Sequence, residues 1–148
     1  MRLKQIYKGI KKNLLEGGIF LIIKKIYFYK VLSKLYNFEI PYDLYYNSNI
    51  HFCHKGHGII VNPLTKIGDG TYIQHDITFG VRDDMKALKA PVIGRNCYIG
   101  AKAIIIGDVF IGDNCKIGAG SVVTKNIPPN STVVGIPARI IKMNGKRV

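Results

Sequence analysis

The stretch Ile93–Val123 reads IGRNCYIGAKAIIIGDVFIGDNCKIGAGSVV, and it decides the fold. Ile93, Ile99, Ile105, Ile111, Ile117 and Val123 recur every six residues. Gly94, Gly100, Gly112 and Gly118 follow four of these anchors, and the fourth place after an anchor is small or β-branched: Cys97, Ala103, Val109, Cys115 and Ser121. A period of six matches neither the 3.6 of an α-helix nor the 2.0 of an open sheet. It matches a triangular coil in which each unit of six supplies one flat side. The branched anchor then points inward, the small residue fits near the corner, and glycine is expected to ease the turn. The expected fold class is therefore all-β: a left-handed parallel β-helix of hexapeptide repeats, with a short α-helical N-terminal segment and a protruding loop.

Working outward, an earlier block keeps the same spacing at Val61, Ile67, Ile73 and Phe79, with Thr65, Thr71 and Ile77 in the fourth places. Between Phe79 and Ile93 the count of six fails, and Gly80 to Pro91 (GVRDDMKALKAP) is polar, charged and closed by proline. A loop leaving the coil over 80–91 is expected there. Downstream, the pattern is expected to stop at Ile127-Pro128-Pro129, with a terminator over 127–142 covering the open end and a tail over 143–148. An uncovered coil edge would pair with other chains.

Upstream, residues 1–37 read as a basic helical segment, with helices expected over 1–16 and 19–37 around the break at Gly17-Gly18. The β-helix domain is expected over 38–142. The segment 1–37 holds nine lysines and arginines against Glu16 alone, so much of the chain's net charge of +13 sits in its first quarter. Anionic partners are expected for it, either a membrane surface or a polyanionic acceptor. Two roles compete: a helical cap on the coil that aids trimer contacts, or an amphipathic helix on an anionic membrane face. The apolar run Ile19–Ile23 is too short to span a bilayer, and no small-residue cleavage site follows it. No nucleic-acid-reading motif is present, so no nucleic-acid partner is expected.

At 148 residues and 47% apolar, the chain is expected to form one domain with a small appendage. Its three cysteines give no disulfide framework, and a reduced, cytoplasmic setting fits them. Cys97 and Cys115 are accounted for as corner residues, and no activating pattern surrounds Cys53.

The histidines carry the candidate chemistry. His51, His54, His57 and His75 all precede the loop. A neutral imidazole is the natural general base near pH 7, and it needs a carboxylate or carbonyl to fix its tautomer. Glu39 lies fifteen residues before His54, about one coil away, and the spacing permits the two to meet. His75 is expected to line a groove, and His57 to contact the acceptor. A zinc site built from His54, His57 and His75 is the competing constellation, and no metal is expected.

Residues 38–142 resemble the hexapeptide-repeat acyltransferases, in the branch that holds serine acetyltransferases and polysaccharide O-acetyltransferases. The resemblance rests on FEIP, on HKGHGIIVNPLTKIGDGTYI, on the Ile93–Val123 array and on the terminator VVGIPARII. It implies an acetyl-CoA-dependent O-acetyltransferase, with His54 as base and Glu39 as the acid orienting it. It also implies a homotrimer with coenzyme A in a cleft between subunits, contacting Gly80, Ala101, Ala119, Lys125 and Arg139. Two departures favour a sugar or cell-surface polysaccharide precursor over serine as acceptor. Only about 37 residues precede the match, and Ala90-Pro91 stands where serine acetyltransferases carry a His-Pro pair. The loop residues Arg82, Asp83, Asp84, Lys86 and Lys89 would then help to select the acceptor. Serine O-acetylation is the alternative, and a γ-carbonic-anhydrase-like zinc enzyme and a non-catalytic structural coil stand behind it.

Overall fold

The computed structural model describes residues 18–46, 48–82 and 89–148. The helix expected over 1–16 and the loop residues Asp83, Asp84 and Lys86 lie outside them. The chain divides into two compact units, Met1–Leu35 and Tyr36–Val148.

In the first unit, helix α1 (Gly18–Tyr27) passes through a π-helical turn, Phe28–Leu32, into a last turn at Ser33–Leu35. The widened turn shows in the Ser33 N–H, which donates to the Phe28 carbonyl, while the Ser33 hydroxyl donates to that of Tyr29. Helix α1 has no acidic residue in its first turn and Lys24 and Lys25 in its last, which suits the negative end of the helix dipole. Ile23, Tyr27, Val31 and Leu35 recur at intervals of four and are all exposed. Among the described residues, no helix is long and apolar enough to cross a membrane.

The second unit is built from short strands that visit three sheets in strict rotation. The first sheet holds β1 (His51–Phe52), β4 (Tyr72–Ile73), β7 (Tyr98–Ile99), β10 (Lys116–Ile117) and β12 (Ser131–Val134). The second holds β2 (Ile60–Val61), β5 (Thr78–Gly80), β8 (Ile104–Ile106) and β11 (Val122–Val123). The third holds β3 (Lys66–Ile67), β6 (Val92–Ile93) and β9 (Phe110–Ile111). All pairing within the coil is parallel, each anchor lying over the anchor one coil earlier: Ile93 pairs Ile111, Ile99 pairs Ile117, and Ile105 pairs Val123. Every anchor of the array is 2% exposed or less, so the core is a stack of branched side chains.

The corner chemistry differs in one respect from the expectation. The turn is made at the third residue after the anchor, where Asp76, Asn96, Lys102, Asn114 and Asn130 take positive φ. The glycine next to the anchor serves close approach instead: a Cβ on Gly100 would lie 2.5 Å from the Ala119 nitrogen of the next coil. The fourth-place residues bind that next coil as well. The Thr71 hydroxyl and the Cys97 and Cys115 thiols donate to the carbonyls of Gly94, Gly112 and Pro128. The hydrogen bond with Cys115, together with burial, holds the Cys97 thiol well above its ordinary range, so it stays protonated.

The coils are not all of one length. Ile99 and Ile117 pair at a separation of 18, Ile73 and Ile99 at 26, and Phe52 and Ile73 at 21. The longest coil includes residues 83–88, which lie outside the described residues; at the ends of the expected 80–91 loop, Gly80 belongs to β5 and Ala90 and Pro91 are buried. The 21-residue coil is lengthened by three residues between Phe52 and Val61. The array also runs on past its expected stop: Ile127 bridges Ile111, and Val133 pairs Ile117. Strands β13 (Arg139–Met143) and β14 (Lys146–Arg147) then add antiparallel, so residues expected as a tail form the outermost strand.

Candidate functional site

The three extra residues of the 21-residue coil make the turn that presents His54. Here His54 (φ 50°, ψ 34°) and Lys55 (φ 56°, ψ 26°) are consecutive left-handed residues, followed by Gly56 at φ +79°. Such a conformation costs a non-glycine residue about 1–2 kcal/mol and persists only where neighbours enforce it. The neighbours here are specific. The Lys55 ammonium donates to the Tyr36 hydroxyl at 2.9 Å, which raises the lysine's pKa, and the Tyr45 hydroxyl donates to the Lys55 carbonyl at 3.4 Å. Gly58 N–H donates to the Tyr36 carbonyl, and a Cβ on Gly56 would lie 2.8 Å from the Ile40 side chain. The Gln74 amide reaches the Cys53 thiol at 3.3 Å. The outcome is an exposed His54 on a turn held from three sides.

Around it, the structure sorts the remaining histidines. The His75 ring meets His54 edge-to-face, with ring centres 5.1 Å apart and planes at 89°. The His75 Nδ1 is buried and has no hydrogen-bond partner. His57 faces the Asp76 carboxylate, Nδ1 to Oδ1, at 3.7 Å. Asp76 lies close because Gly58 makes room for it: a Cβ there would stand 1.9 Å from Asp76 Oδ1. His51 stacks on Tyr72 on the outer face of the first sheet, centre to centre 4.3 Å. Among the described residues, no group of three His, Cys, Asp or Glu side chains is placed to hold a metal ion.

Glu39 occupies the outer edge of the second sheet. It bridges Ile60 in parallel register, its N–H donating to the Ile59 carbonyl, and its neighbour Ile40 is buried. Its side chain is exposed one coil before His54. Among the described residues, no hydrogen bond or ion pair joins the Glu39 carboxylate to the His54 ring. The ring's neighbour is His75.

The other expected site residues fall on the two edges of the second sheet. One edge is the corner between the first and second sheets, and a backbone ladder runs along it. Asp76 N–H donates to the His57 carbonyl, Lys102 N–H to that of His75, and Gly120 N–H to that of Ala101. Ala101 and Ala119 therefore stand in file above the histidines, and Arg139, paired with Val134, closes the file. With about 4.8 Å per coil, the file from His57 to Ala119 spans about 14 Å. Gly80, Arg82, Lys89 and Lys125 stand on the opposite edge. There Gly107 N–H donates to the Gly80 carbonyl, and the Lys89 ammonium pairs with Asp108 at 2.7 Å. Sequence reasoning missed Tyr36 and Asp76; the excess of three residues between Phe52 and Val61 is the signal that marks this turn as special.

A family model described as "Bacterial transferase hexapeptide (six repeats)" matches residues 90–125. Residues 90–125 thus carry the six-residue repeat that this model describes. Among the chain's relatives, the serine acetyltransferase of Bacillus pumilus is 33% identical over 129 residues, covering 84% of this chain and 59% of its own length. That of Staphylococcus xylosus is 33% identical over 128 residues, with the same coverage. The chain thus spans little more than half the length of these curated relatives. Among solved structures, soybean serine acetyltransferase complexed with serine is 40% identical, with a TM-score of 0.59 over 62% of this chain and 37% of that one. The Brucella abortus serine acetyltransferase in complex with coenzyme A is 36% identical, with a TM-score of 0.61 over 66% of this chain and 38% of that one.

Proposed function

We propose that the chain is an acetyl-CoA-dependent O-acetyltransferase with His54 as general base. The observation that carries this reading is the held, left-handed turn presenting His54 at the foot of the Ala101–Ala119 file. In the proposed reaction His54 takes the acceptor hydroxyl proton as the oxygen bonds to the thioester carbonyl carbon. The carbon–sulfur bond breaks, and the proton passes to the leaving thiolate. A backbone N–H near Gly80, on the opposite edge of the second sheet from His54, is proposed to reach the developing oxyanion from a neighbouring subunit. The small side chains of Ala101 and Ala119 let a thin pantetheine arm approach the backbone, and Arg139, with Lys125 from the facing edge of a neighbouring subunit, supplies cations for the nucleotide phosphates. Glu39, one coil before His54, is proposed to stabilise the imidazolium that forms as the proton is taken. The coil is proposed to wind left-handed and to assemble as a homotrimer, with the exposed apolar residues Ile60, Val92 and Phe110 available to its contacts.

The similarity to serine acetyltransferases supports serine as the first acceptor, ahead of the sugar hydroxyl favoured by the sequence. One observation keeps the sugar as a second reading: Ala90 is 8% exposed and offers only a buried methyl group beside the loop, with no side chain to bind an amino acid. Free thiol released from acetyl-CoA, measured with L-serine and with a panel of nucleotide sugars, separates the two. Turnover with serine alone supports the first reading, and turnover with a sugar alone overturns it.

The exposed stripe Ile23–Leu35, set among Lys24, Lys25, Lys30 and Lys34, supports peripheral contact with an anionic surface on the cytoplasmic side. Co-sedimentation with phosphatidylglycerol vesicles but not with phosphatidylcholine vesicles is expected; equal recovery with both would remove the proposal.

A further inference from the structure

We propose that His75 is a positioning residue that fixes the tautomer of His54 through a hydrogen bond between the two imidazoles. The proposal rests on the reading of His54 as the base. Two observations carry it. The ring centres lie 5.1 Å apart, so rotation of the rings into an edge-to-edge approach leaves the facing nitrogens about 2.8 Å apart, inside hydrogen-bond range. The His75 Nδ1 is buried without a partner, and a buried polar atom is costly until it finds one.

The surroundings narrow the choice of partner for that nitrogen. Asp76, next in sequence, is turned toward His57. The Gln74 amide is committed to Cys53, and Lys55 to Tyr36. The His75 carbonyl holds the Lys102 N–H, which anchors the residue's backbone on the corner ladder. The imidazole set against it is the His54 ring. A His54 N–H donating to His75 Nδ1 leaves the other His54 nitrogen unprotonated, with its lone pair available for an acceptor hydroxyl. That is the orienting task a carboxylate performs for a general base elsewhere. His75 takes no proton from substrate in this arrangement; it decides which nitrogen of His54 can.

The test uses the full chain labelled with 15N-histidine, observed without substrate at mildly alkaline pH. Wild-type protein is expected to show His54 in one tautomer. His75→Phe keeps a ring but removes the acceptor, and should give a His54 tautomer mixture with a kcat about tenfold lower and the KM for acetyl-CoA within about twofold. His75→Asn returns an acceptor near the Nδ1 position and should restore both the single tautomer and most of kcat. Unchanged His54 nitrogen shifts in His75→Phe would overturn the proposal. So would a tautomer mixture that appears in Glu39→Gln instead, which would return the orienting task to the carboxylate. Failure of every acceptor to release thiol, with the tautomer still dependent on His75, would remove the acetyl-transfer reading and leave the pairing standing.

Discussion

The coils that carry Ile93 to Val123 and the turn from Cys53 to Gly58 solve the same corner in different ways. In the regular coils one left-handed residue, such as Lys102 or Asn114, makes the bend, and glycine at the next coil's closest approach lets backbones touch. Nothing is held out of place, and the buried fourth-place side chains, such as Ala103 and Ser121, are small. In the 53–58 turn, three left-handed residues follow one another, two of them with full side chains, and Tyr36, Tyr45 and Ile40 hold them there. Stability and the proposed chemistry are thus divided between regions. The regular coils gain from repetition, while the longer turn spends part of that gain to expose an imidazole. The lesson is that in a repeat fold the residues that break the period are the ones to examine for function.

This contrast can be broken at either end. The largest effect is expected from His54→Ala, which should lower kcat by about a thousandfold while leaving the melting temperature unchanged within error. Wild-type thiol release with a productive acceptor would remove His54 from the chemistry. In the array, Ile117→Ala should do the reverse. It deletes a fully buried anchor and should cost about 3 kcal/mol, or about 10 °C in Tm, with activity retained below the transition. A shift of only a degree or two would show that the stack of anchors is not the main source of stability. Gly100→Ala should cost about 2 kcal/mol, because its Cβ has backbone rather than a movable side chain in its way. An unchanged Tm would show that adjacent coils can separate locally. Tyr36→Phe is the subtlest: loss of the hydroxyl that accepts from Lys55 should lower activity about threefold and move Tm by less than about 2 °C. If Tm fell while activity held, the tyrosine would serve the coil and not the turn.

Much of this division was legible in the sequence, because packing at period six leaves a mark at every anchor. The anchors from Ile93 to Val123, and Val61, Ile73 and Phe79 before them, are buried as their spacing requires, and the failed count after Phe79 matches the register of 26 between Ile73 and Ile99. What escaped notice depends on backbone conformation and on contacts between distant residues. The glycines read as turn formers are close-approach residues, since sequence does not distinguish a glycine needed for φ from one needed for space. The pairing of His57 with Asp76 and of His54 with His75 arises because the 21-residue coil sets its turn against the next one, a relation hidden from linear spacing. Glu39 lies fifteen residues before His54, and its bridge to Ile60 puts it at the neighbouring sheet edge, but spacing says nothing about where a carboxylate turns.

The uniform separation of 18 in the registers of Ile93, Ile99 and Ile105 has an evolutionary meaning. The array possesses a screw symmetry, so one whole coil is a unit of inheritance. An in-frame duplication or loss of eighteen codons within it leaves every inward side chain over an inward side chain and every corner over a corner. Such an event would lengthen or shorten the Ala101–Ala119 file by one step without disturbing the turn that carries His54. The reach of the file and the chemistry at its foot are therefore free to evolve separately.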